Sequence, residues 1–172
     1  MIKKILSFIL IIILFLPILG CQQNNNINSN NFYYPRSDYG YNSLEGKFYN
    51  SFIEPEIREK IPNQNIDEII TTYLTGPMAV TLKNPFPEKM SLESVVVDNQ
   101  TLYITVSNHL SELTGIHLMI ACACLGKTCM ELTNTSTVQI SCGSALLDGR
   151  KSIVLRDNAI LFDDTASNSI NN

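Results

Sequence analysis

The sequence predicts an α+β fold: a single compact domain in which two helices pack on one face of a mostly antiparallel sheet. Three observations support this fold class. Residues 66–75 repeat apolar side chains at the spacing of one helix face. Residues 101–107 alternate apolar and polar side chains, as a strand with one buried face does. Residues 115–131 are apolar around most of a helix circumference, which is typical of a helix buried on a sheet.

The first twenty residues have the pattern of an export signal. A pair of lysines is followed by residues 5–16, which are apolar apart from Ser7, and Pro17 interrupts the run before a cleavage point. This apolar run is shorter than the roughly 20 residues that a membrane-spanning helix needs. Its length favours a cleaved signal over an uncleaved anchor helix. We therefore predict a signal peptide over residues 1–20.

A short motif follows the apolar run. Ile18-Leu19-Gly20-Cys21 resembles the bacterial lipobox. The resemblance implies that the Cys21 thiol carries a diacylglycerol and becomes the new N-terminus. Two acyl chains attach a protein stably to a bilayer, whereas one chain is marginal. We therefore expect an extracytoplasmic lipoprotein, held on the outer face of the cytoplasmic membrane through Cys21.

The charge balance excludes two classes of partner. The chain carries 12 basic and 16 acidic residues, for a net charge of −4. Removal of Lys3 and Lys4 with the signal peptide makes it more acidic still. Binding to nucleic acid requires cations opposite the phosphates, and attachment to anionic head groups requires a basic cluster. We expect neither, so the lipid would provide the membrane attachment.

Residues 21–43 are predicted to form an Asn-rich, lipid-anchored tether. The segment 22–31 is nearly free of apolar residues and cannot bury enough surface to offset its chain entropy. Several aromatic residues follow in the segment 32–41, among Pro, Asp and Gly. This aromatic stretch is either a segment that is loose or lies along the domain, or a recognition surface.

The folded domain is predicted to span residues 44–162. Residues 47–49 and 51–53 have the composition of short strands, and Pro55 and Pro62 bracket a further extended or irregular piece.

The first helix is predicted over residues 66–75. Asn65 is a favoured N-cap, and Glu68 lies three residues later in a capping-box arrangement. Gly76 supplies a residue that tolerates the left-handed conformation at a helix end, and Pro77 prevents the helix from continuing. We therefore assign structural roles to Gly76 and Pro77.

A β-hairpin is predicted next, with strands at residues 91–97 and 101–107. The turn lies at residues 98–100, where Asn99 tolerates a positive φ. The chain then returns through the second helix, at residues 115–131.

The C-terminal part is predicted to form three further strands and a tail. The strands lie at residues 137–142, 151–156 and 159–162, where apolar residues cluster between turn residues. Residues 163–172 are polar and are predicted to be disordered.

The order of these elements, with particular residues in them, resembles the GerMN domain of sporulation and spore germination. The family has a helix ending in Leu-x-x-Gly-Pro, with residues 73–77, Tyr-Leu-Thr-Gly-Pro, at the corresponding place. Its strand Leu-x-Ser-Val-x-Val matches residues 92–97. Its next strand, a Tyr followed by Val-Asp-Leu-Ser, corresponds to residues 102–107, with Thr105 in place of Asp. The family's Val-x-Ile-x-Val strand corresponds to residues 138–142.

The resemblance covers residues 45–162 and carries functional implications. Members of the family are commonly lipoproteins, and they are regarded as structural or assembly factors rather than enzymes. The layout is also similar to ring-building modules that stack side by side in envelope complexes. The resemblance therefore implies a non-enzymatic interaction domain, with envelope or sporulation proteins, or further copies of the chain, as partners. The alternative is an envelope lipoprotein that binds a cell-wall glycan or another ligand through its Tyr-rich segment.

The sequence predicts no catalytic residues, no cofactor and no metal site. Residues 121–128 fit a relaxed nucleotide-binding pattern, but their Cys-Ala-Cys-Leu centre suits a buried helix rather than a Gly-rich phosphate loop. Ser144 follows a glycine without the Gly-x-Ser-x-Gly motif of a nucleophile elbow. Neither His109 nor His117 has a sequence-defined nucleophile or acid as partner.

Four cysteines follow the predicted hairpin. Their spacing lacks the paired short intervals of structural zinc sites. If residues 122–129 are all helical, the first and third cysteines are about 10.5 Å apart along the axis, beyond the reach of a disulfide. A disulfide from the last cysteine to one on the helix and free buried thiols both remain open. The four candidates are Cys122, Cys124, Cys129 and Cys142.

Overall fold

The computed structural model describes residues 29–37 and 52–157. Two helices and two sheets make up this part of the chain. The helices are α1 (Ile66–Leu74) and α2 (Gly115–Thr133). The smaller sheet pairs β1 (Ser29–Pro35) with β2 (Ile53–Glu59), in antiparallel orientation. The larger sheet consists of β3 (Leu92–Asp98), β4 (Thr101–Val106), β5 (Thr137–Cys142) and β6 (Ile153–Arg156), in that spatial order.

The larger sheet is mixed, with one parallel pair at its centre. β3 and β4 form the predicted antiparallel hairpin, and β5 and β6 form a second antiparallel pair. β4 and β5 are parallel, so the chain must cross over between them, and it does so through a 3₁₀ helix at Asn108–Glu112 and then α2. The predicted α+β class, with two helices and mostly antiparallel strands, is confirmed. The strands, however, are divided between two sheets rather than joined in one.

Helix α2 lies between the two sheets. It contacts β4, β5 and β6 of the larger sheet and β1 of the smaller one, while α1 contacts β3 and α2. Eleven of its residues are buried, which is why its apolar residues extend around most of its circumference. By length and composition α2 could cross a membrane, but 61% of the relevant window is buried inside the domain, as in the core helix of a soluble protein.

Residues next to the helices determine where α1 begins and where α2 ends. The Asn65 side chain accepts from the Glu68 backbone N–H at 2.8 Å, and Glu68 accepts from the Asn65 N–H, so the predicted capping box is confirmed. α1 ends at Leu74, one residue before the predicted end. α2 ends at Thr133, two residues after the predicted end. The helix ends there because Asn134 adopts the left-handed conformation, with φ 54°.

The predicted boundary of the tether is wrong for residues 29–37. They form β1 and the turn after it, and Phe32 and Tyr34 are buried in the core. The physical reason is the period of two: these two aromatic side chains point inward from one face of a strand, which outweighs the polar asparagines around them. The extended or irregular piece expected between Pro55 and Pro62 is extended as far as Glu59. Pro55 itself lies within β2, at an edge position that tolerates a missing N–H.

Several predictions lie outside the described residues. They are the signal peptide at 1–20, lipidation of Cys21, the strand at 47–49, the last strand at 159–162 and the tail at 163–172.

Candidate functional site

An internal network surrounds the end of α1, where Gly76 and Pro77 were predicted to have structural roles. Gly76 has φ +103°, a conformation that L side chains rarely adopt. A Cβ at this position would meet the Asn84 side-chain nitrogen at 2.9 Å. Gly76 is buried, and its carbonyl accepts from Arg58 Nη2 at 2.8 Å. The glycine is therefore required by both backbone conformation and space.

Arg58 and Glu56 connect this helix end to β2. They form an ion pair in which both side chains are only 10% exposed, with Arg58 Nε donating to Glu56 Oε2 at 2.6 Å. Glu56 Oε1 also accepts from the backbone N–H groups of Met78 and Ala79, at 2.8 and 2.7 Å. One carboxylate thus holds the loop that follows Gly76, while its cation holds Gly76 itself.

Two buried tyrosines complete the network. Tyr34 Oη donates to the Tyr73 carbonyl at 2.7 Å, and Tyr73 Oη donates to the Tyr33 carbonyl, also at 2.7 Å. The Arg58 guanidinium lies over the Phe32 ring, 4.7 Å from its centroid. Desolvation raises the pKa of both Tyr34 and Tyr73 above the usual value, so both hydroxyls stay protonated. The network joins β1, β2 and α1, and its polar groups are bound to one another.

Tyr33 lies on the other face of β1, against α2. Its backbone N–H donates to Thr128 Oγ1 at 2.9 Å, its hydroxyl donates to Glu131 Oε2 at 2.7 Å, and Lys127 Nζ lies 4.7 Å from its ring centroid. Tyr34 is fully buried. These two members of the predicted Tyr-rich recognition segment therefore pack within the domain, whereas Tyr39 and Tyr41 lie outside the described residues.

The outer face of the larger sheet has a different character. Strand registers align Val96, Tyr103, Gln139 and Val154 in one row across β3, β4, β5 and β6. Val96, Tyr103 and Val154 are 55%, 39% and 52% exposed. Polar rows flank them: Ser94, Thr105 and Ser141 on one side, and Asp98, Thr101, Thr137 and Arg156 on the other. We call these eleven residues the open sheet face.

The open sheet face has the composition of a contact surface. Its central row is apolar and aromatic apart from Gln139, and its hydroxyl rows can exchange hydrogen bonds with a partner. Thr105 and Ser141 already bond each other at 3.2 Å across neighbouring strands, which fixes their positions. Sequence alternation in residues 101–107 predicted that one face of this sheet is polar. It did not indicate the apolar row, because the row is formed by residues from four separate strands.

A cleft of about 560 Å³ lies on another side of the domain. Its apolar wall includes Phe86 and Ile116, and the second of these is 62% exposed. Lys83, Glu88 and Glu112 contribute charges of both signs to its lining. The cleft was not predicted, since it is formed where the Pro-rich loop after α1 meets the start of α2.

The four candidate cysteines are free and buried. Burial raises the pKa of Cys122 to about 12 and raises that of Cys142 as well, so the thiols are protonated at neutral pH and are poor nucleophiles. The Cys142 thiol donates to the Ala145 carbonyl at 3.6 Å. Among the described residues, no three His, Cys, Asp or Glu side chains are placed to hold a metal ion.

Comparison with known proteins shows which family model the chain matches. A family model described as "Germane: Sporulation and spore germination" matches residues 31–148. The crystal structure of a candidate lipoprotein from Clostridium perfringens is similar at 15% sequence identity and a TM-score of 0.43, covering 77% of this chain and 91% of that one. No curated protein matches the chain.

Proposed function

Because the chain belongs to the sporulation and spore germination family, we propose that it is a lipid-anchored extracytoplasmic protein that acts in this process by binding other proteins rather than by catalysis. The observation that carries the proposal is the family match, which runs from Asn31 through β5 and both helices and, of the described strands and helices, leaves out only β6. The N-terminal pattern ending at Cys21 supports attachment to the outer face of the cytoplasmic membrane.

The open sheet face supports binding to a protein. Protein interfaces combine an apolar and aromatic centre with a polar rim, and the row of Val96, Tyr103 and Val154 between two hydroxyl-bearing rows has this arrangement. Arg156 and Asp98 stand at opposite ends of one flanking row, where they could fix the orientation of a partner. The partner would be an envelope protein of the sporulating or germinating cell, or another copy of this chain.

Complementation of a deletion strain tests the proposal. Heat-resistant spore counts and germination rates would be compared for the wild-type chain, Cys21→Ala and the face variant Val96→Lys with Val154→Lys. Ile57→Lys is the control, because Ile57 is an aliphatic residue on the smaller sheet that is even more exposed, at 66%, than Val96 and Val154.

We expect wild type and the control to restore function, and Cys21→Ala and the face variant to fail although both accumulate as folded protein. Normal sporulation and germination in the deletion strain would overturn the assignment to this process. Rescue by the face variant would exclude the open sheet face as the contact surface.

The cleft favours a second candidate function, the binding of a cell-wall glycan or another envelope ligand. It has an exposed apolar residue, Ile116, beside polar groups, as ligand sites do. Sedimentation with purified cell wall would measure the binding, with Ile116→Lys as the cleft variant. Met119→Lys, one turn further along α2 and 39% exposed, is the control. Binding that only Ile116→Lys abolishes would support this function; no sedimentation of the wild-type chain would exclude a wall ligand.

A further inference from the structure

We infer that Cys122 and Cys142 are the disulfide-forming pair of this domain. An external disulfide oxidises the two thiols by thiol–disulfide exchange, and the bond that forms between them joins α2 to β5. In the reaction, a thiolate of one cysteine attacks the external disulfide and releases one external thiol. The second cysteine then attacks the mixed disulfide and releases the other thiol. The two cysteines lose their protons and two electrons, and the external disulfide is reduced to two thiols.

The direction of the crossover places the two cysteines at the same end of the sheet. β4 and β5 are parallel neighbours joined through α2, so the helix runs back across them. The Gly115 N–H, at the start of α2, donates to Asp148 Oδ2 at 3.0 Å, in the turn region that follows β5. The first half of α2 therefore lies near the C-terminal end of β5. Cys122 belongs to that half of the helix, and Cys142 is the last residue of β5.

The helical phase directs Cys122 toward the larger sheet. Lys127, Thr128 and Glu131 mark the side of α2 that contacts β1, through their interactions with Tyr33. At about 100° per residue, Cys122 lies about 120° to 180° around the helix from each of them. Cys142 is buried on the inner face of β5, the face that α2 covers.

The same geometry disfavours the other two thiols. Cys124 lies about 200° around the helix from Cys122, on the side of the smaller sheet, where it interacts electrostatically with Tyr34 and Tyr73. Cys129 shares the face of Cys122 but lies about 10.5 Å further along the axis, toward the beginning of β5. Cys122 is thus the helical cysteine nearest to Cys142.

Electrostatics agrees with this placement. After burial, the interaction with Cys142 contributes most to the raised pKa of Cys122, ahead of that with Asp148. Cys142 therefore interacts electrostatically with Cys122 in the reduced protein. Closure requires the Cys142 thiol to leave the Ala145 carbonyl, to which it donates in the reduced form. Because both thiols are buried, we expect exchange to occur during folding or partial opening rather than in the intact fold.

Refolding in a glutathione redox buffer tests the pairing. The full chain with Cys21→Ser would be refolded with reduced and oxidised glutathione or with dithiothreitol, alkylated under denaturing conditions and mapped by mass spectrometry. We expect two alkylated cysteines instead of the four of the reduced chain, a linked peptide pair containing Cys122 and Cys142, and a thermal midpoint about 5 °C or more above that of the reduced chain. Cys124→Ser and Cys129→Ser should retain the link.

Three outcomes would overturn the inference: a link between any other pair, mixed disulfides with glutathione only, or four free thiols in the redox buffer. The mapping of the Cys21→Ser chain does not depend on any substitution in the core, so it decides the matter even if Cys122→Ser fails to fold. Where the Cys122 and Cys142 variants do fold, each should lose both the link and the rise in thermal midpoint.

Discussion

The two sheets flank the same helix but use their side chains differently. In the smaller sheet, Arg58, Glu56 and Tyr34 are bound to the end of α1 and to one another. In the larger sheet, Val96 and Tyr103 lie exposed in the centre of the outer face. The difference indicates that substitutions in the smaller sheet should change stability, whereas substitutions on the open sheet face should change binding with little effect on stability.

The largest effect is expected from Arg58→Ala. The substitution would leave the Glu56 carboxylate without its cation and the Gly76 carbonyl without its donor, in a site where the two charged side chains are only 10% exposed. Removing one member of a buried ion pair costs about 3 kcal/mol of unfolding free energy. Urea unfolding would measure it, with the exposed Lys60→Ala as the control, for which we expect a change within about 0.5 kcal/mol. Equal effects of the two variants would show that the network is not a source of stability.

The next effect concerns the end of α1. Gly76→Ala must adopt φ +103° and place its Cβ 2.9 Å from the Asn84 side chain, so strain and overlap both act. We expect a loss of about 2 kcal/mol by urea unfolding. Gly149→Ala is the matched control, because Gly149 also has a positive φ, +78°, but its Cβ would meet nothing within 4 Å. If Gly149→Ala loses less unfolding free energy than Gly76→Ala, the difference measures the overlap of the added Cβ with the Asn84 side chain. Equal losses would assign the whole effect to the positive φ.

Alkaline pH should destabilise the domain through its buried thiols and phenols. Burial raises the pKa of Cys122 to about 12, so the folded state keeps a proton that the unfolded chain loses from about pH 9. Because the unfolded state then binds fewer protons, the contribution of this thiol to stability is constant below pH 9 and falls as pH rises toward 12.

The slope of this dependence can be measured. Each such group contributes up to about 1.4 kcal/mol per pH unit in that window. Urea midpoints at pH 7, 9 and 10, measured in reducing conditions, would test this slope. Cys122→Ala should reduce the loss of unfolding free energy per pH unit by the contribution of one group. A decline of identical slope in this variant would contradict the assigned role of the thiol.

How far the sequence predicts the structure depends on whether the cause is local. α1 could be predicted almost to the residue, since its capping box and Gly76 lie within the helix or beside it. β1 was not predicted, because its asparagines favour an unfolded segment and only Phe32 and Tyr34 show the alternation of a strand. The pairing of Glu56 with Arg58 had a signal in the sequence, because residues two apart share one face of a strand.

The division into two sheets could not be predicted, because it depends on contacts between distant residues. The apolar circumference of α2 indicates that both of its sides are covered, but not which strands cover each side. The open sheet face likewise requires the register of four strands, and a shift by one residue would turn Tyr103 inward. Its existence follows from pairing rather than from any local pattern.

The smallest stability effect is expected on the open sheet face, and it is the sharpest test of the comparison. Tyr103→Ala removes a side chain that is 39% exposed and lies on the outer face of the sheet, opposite Val96. The strand pairs on both sides of β4 remain, so the unfolding free energy should change by about 0.5 kcal/mol or less. By contrast, Tyr34→Phe removes only one oxygen, but the Tyr73 carbonyl then loses its side-chain donor and keeps the Gly76 N–H. Arg58 Nη2 also loses an acceptor, and we expect a cost of about 1 kcal/mol. Measured together with spore complementation, Tyr103→Ala should lose function while folded, and Tyr34→Phe should retain function while less stable. If Tyr103→Ala proved the more destabilising of the two, the exposed row would be part of the structural framework, and the separation between a stabilising sheet and a binding sheet would fail.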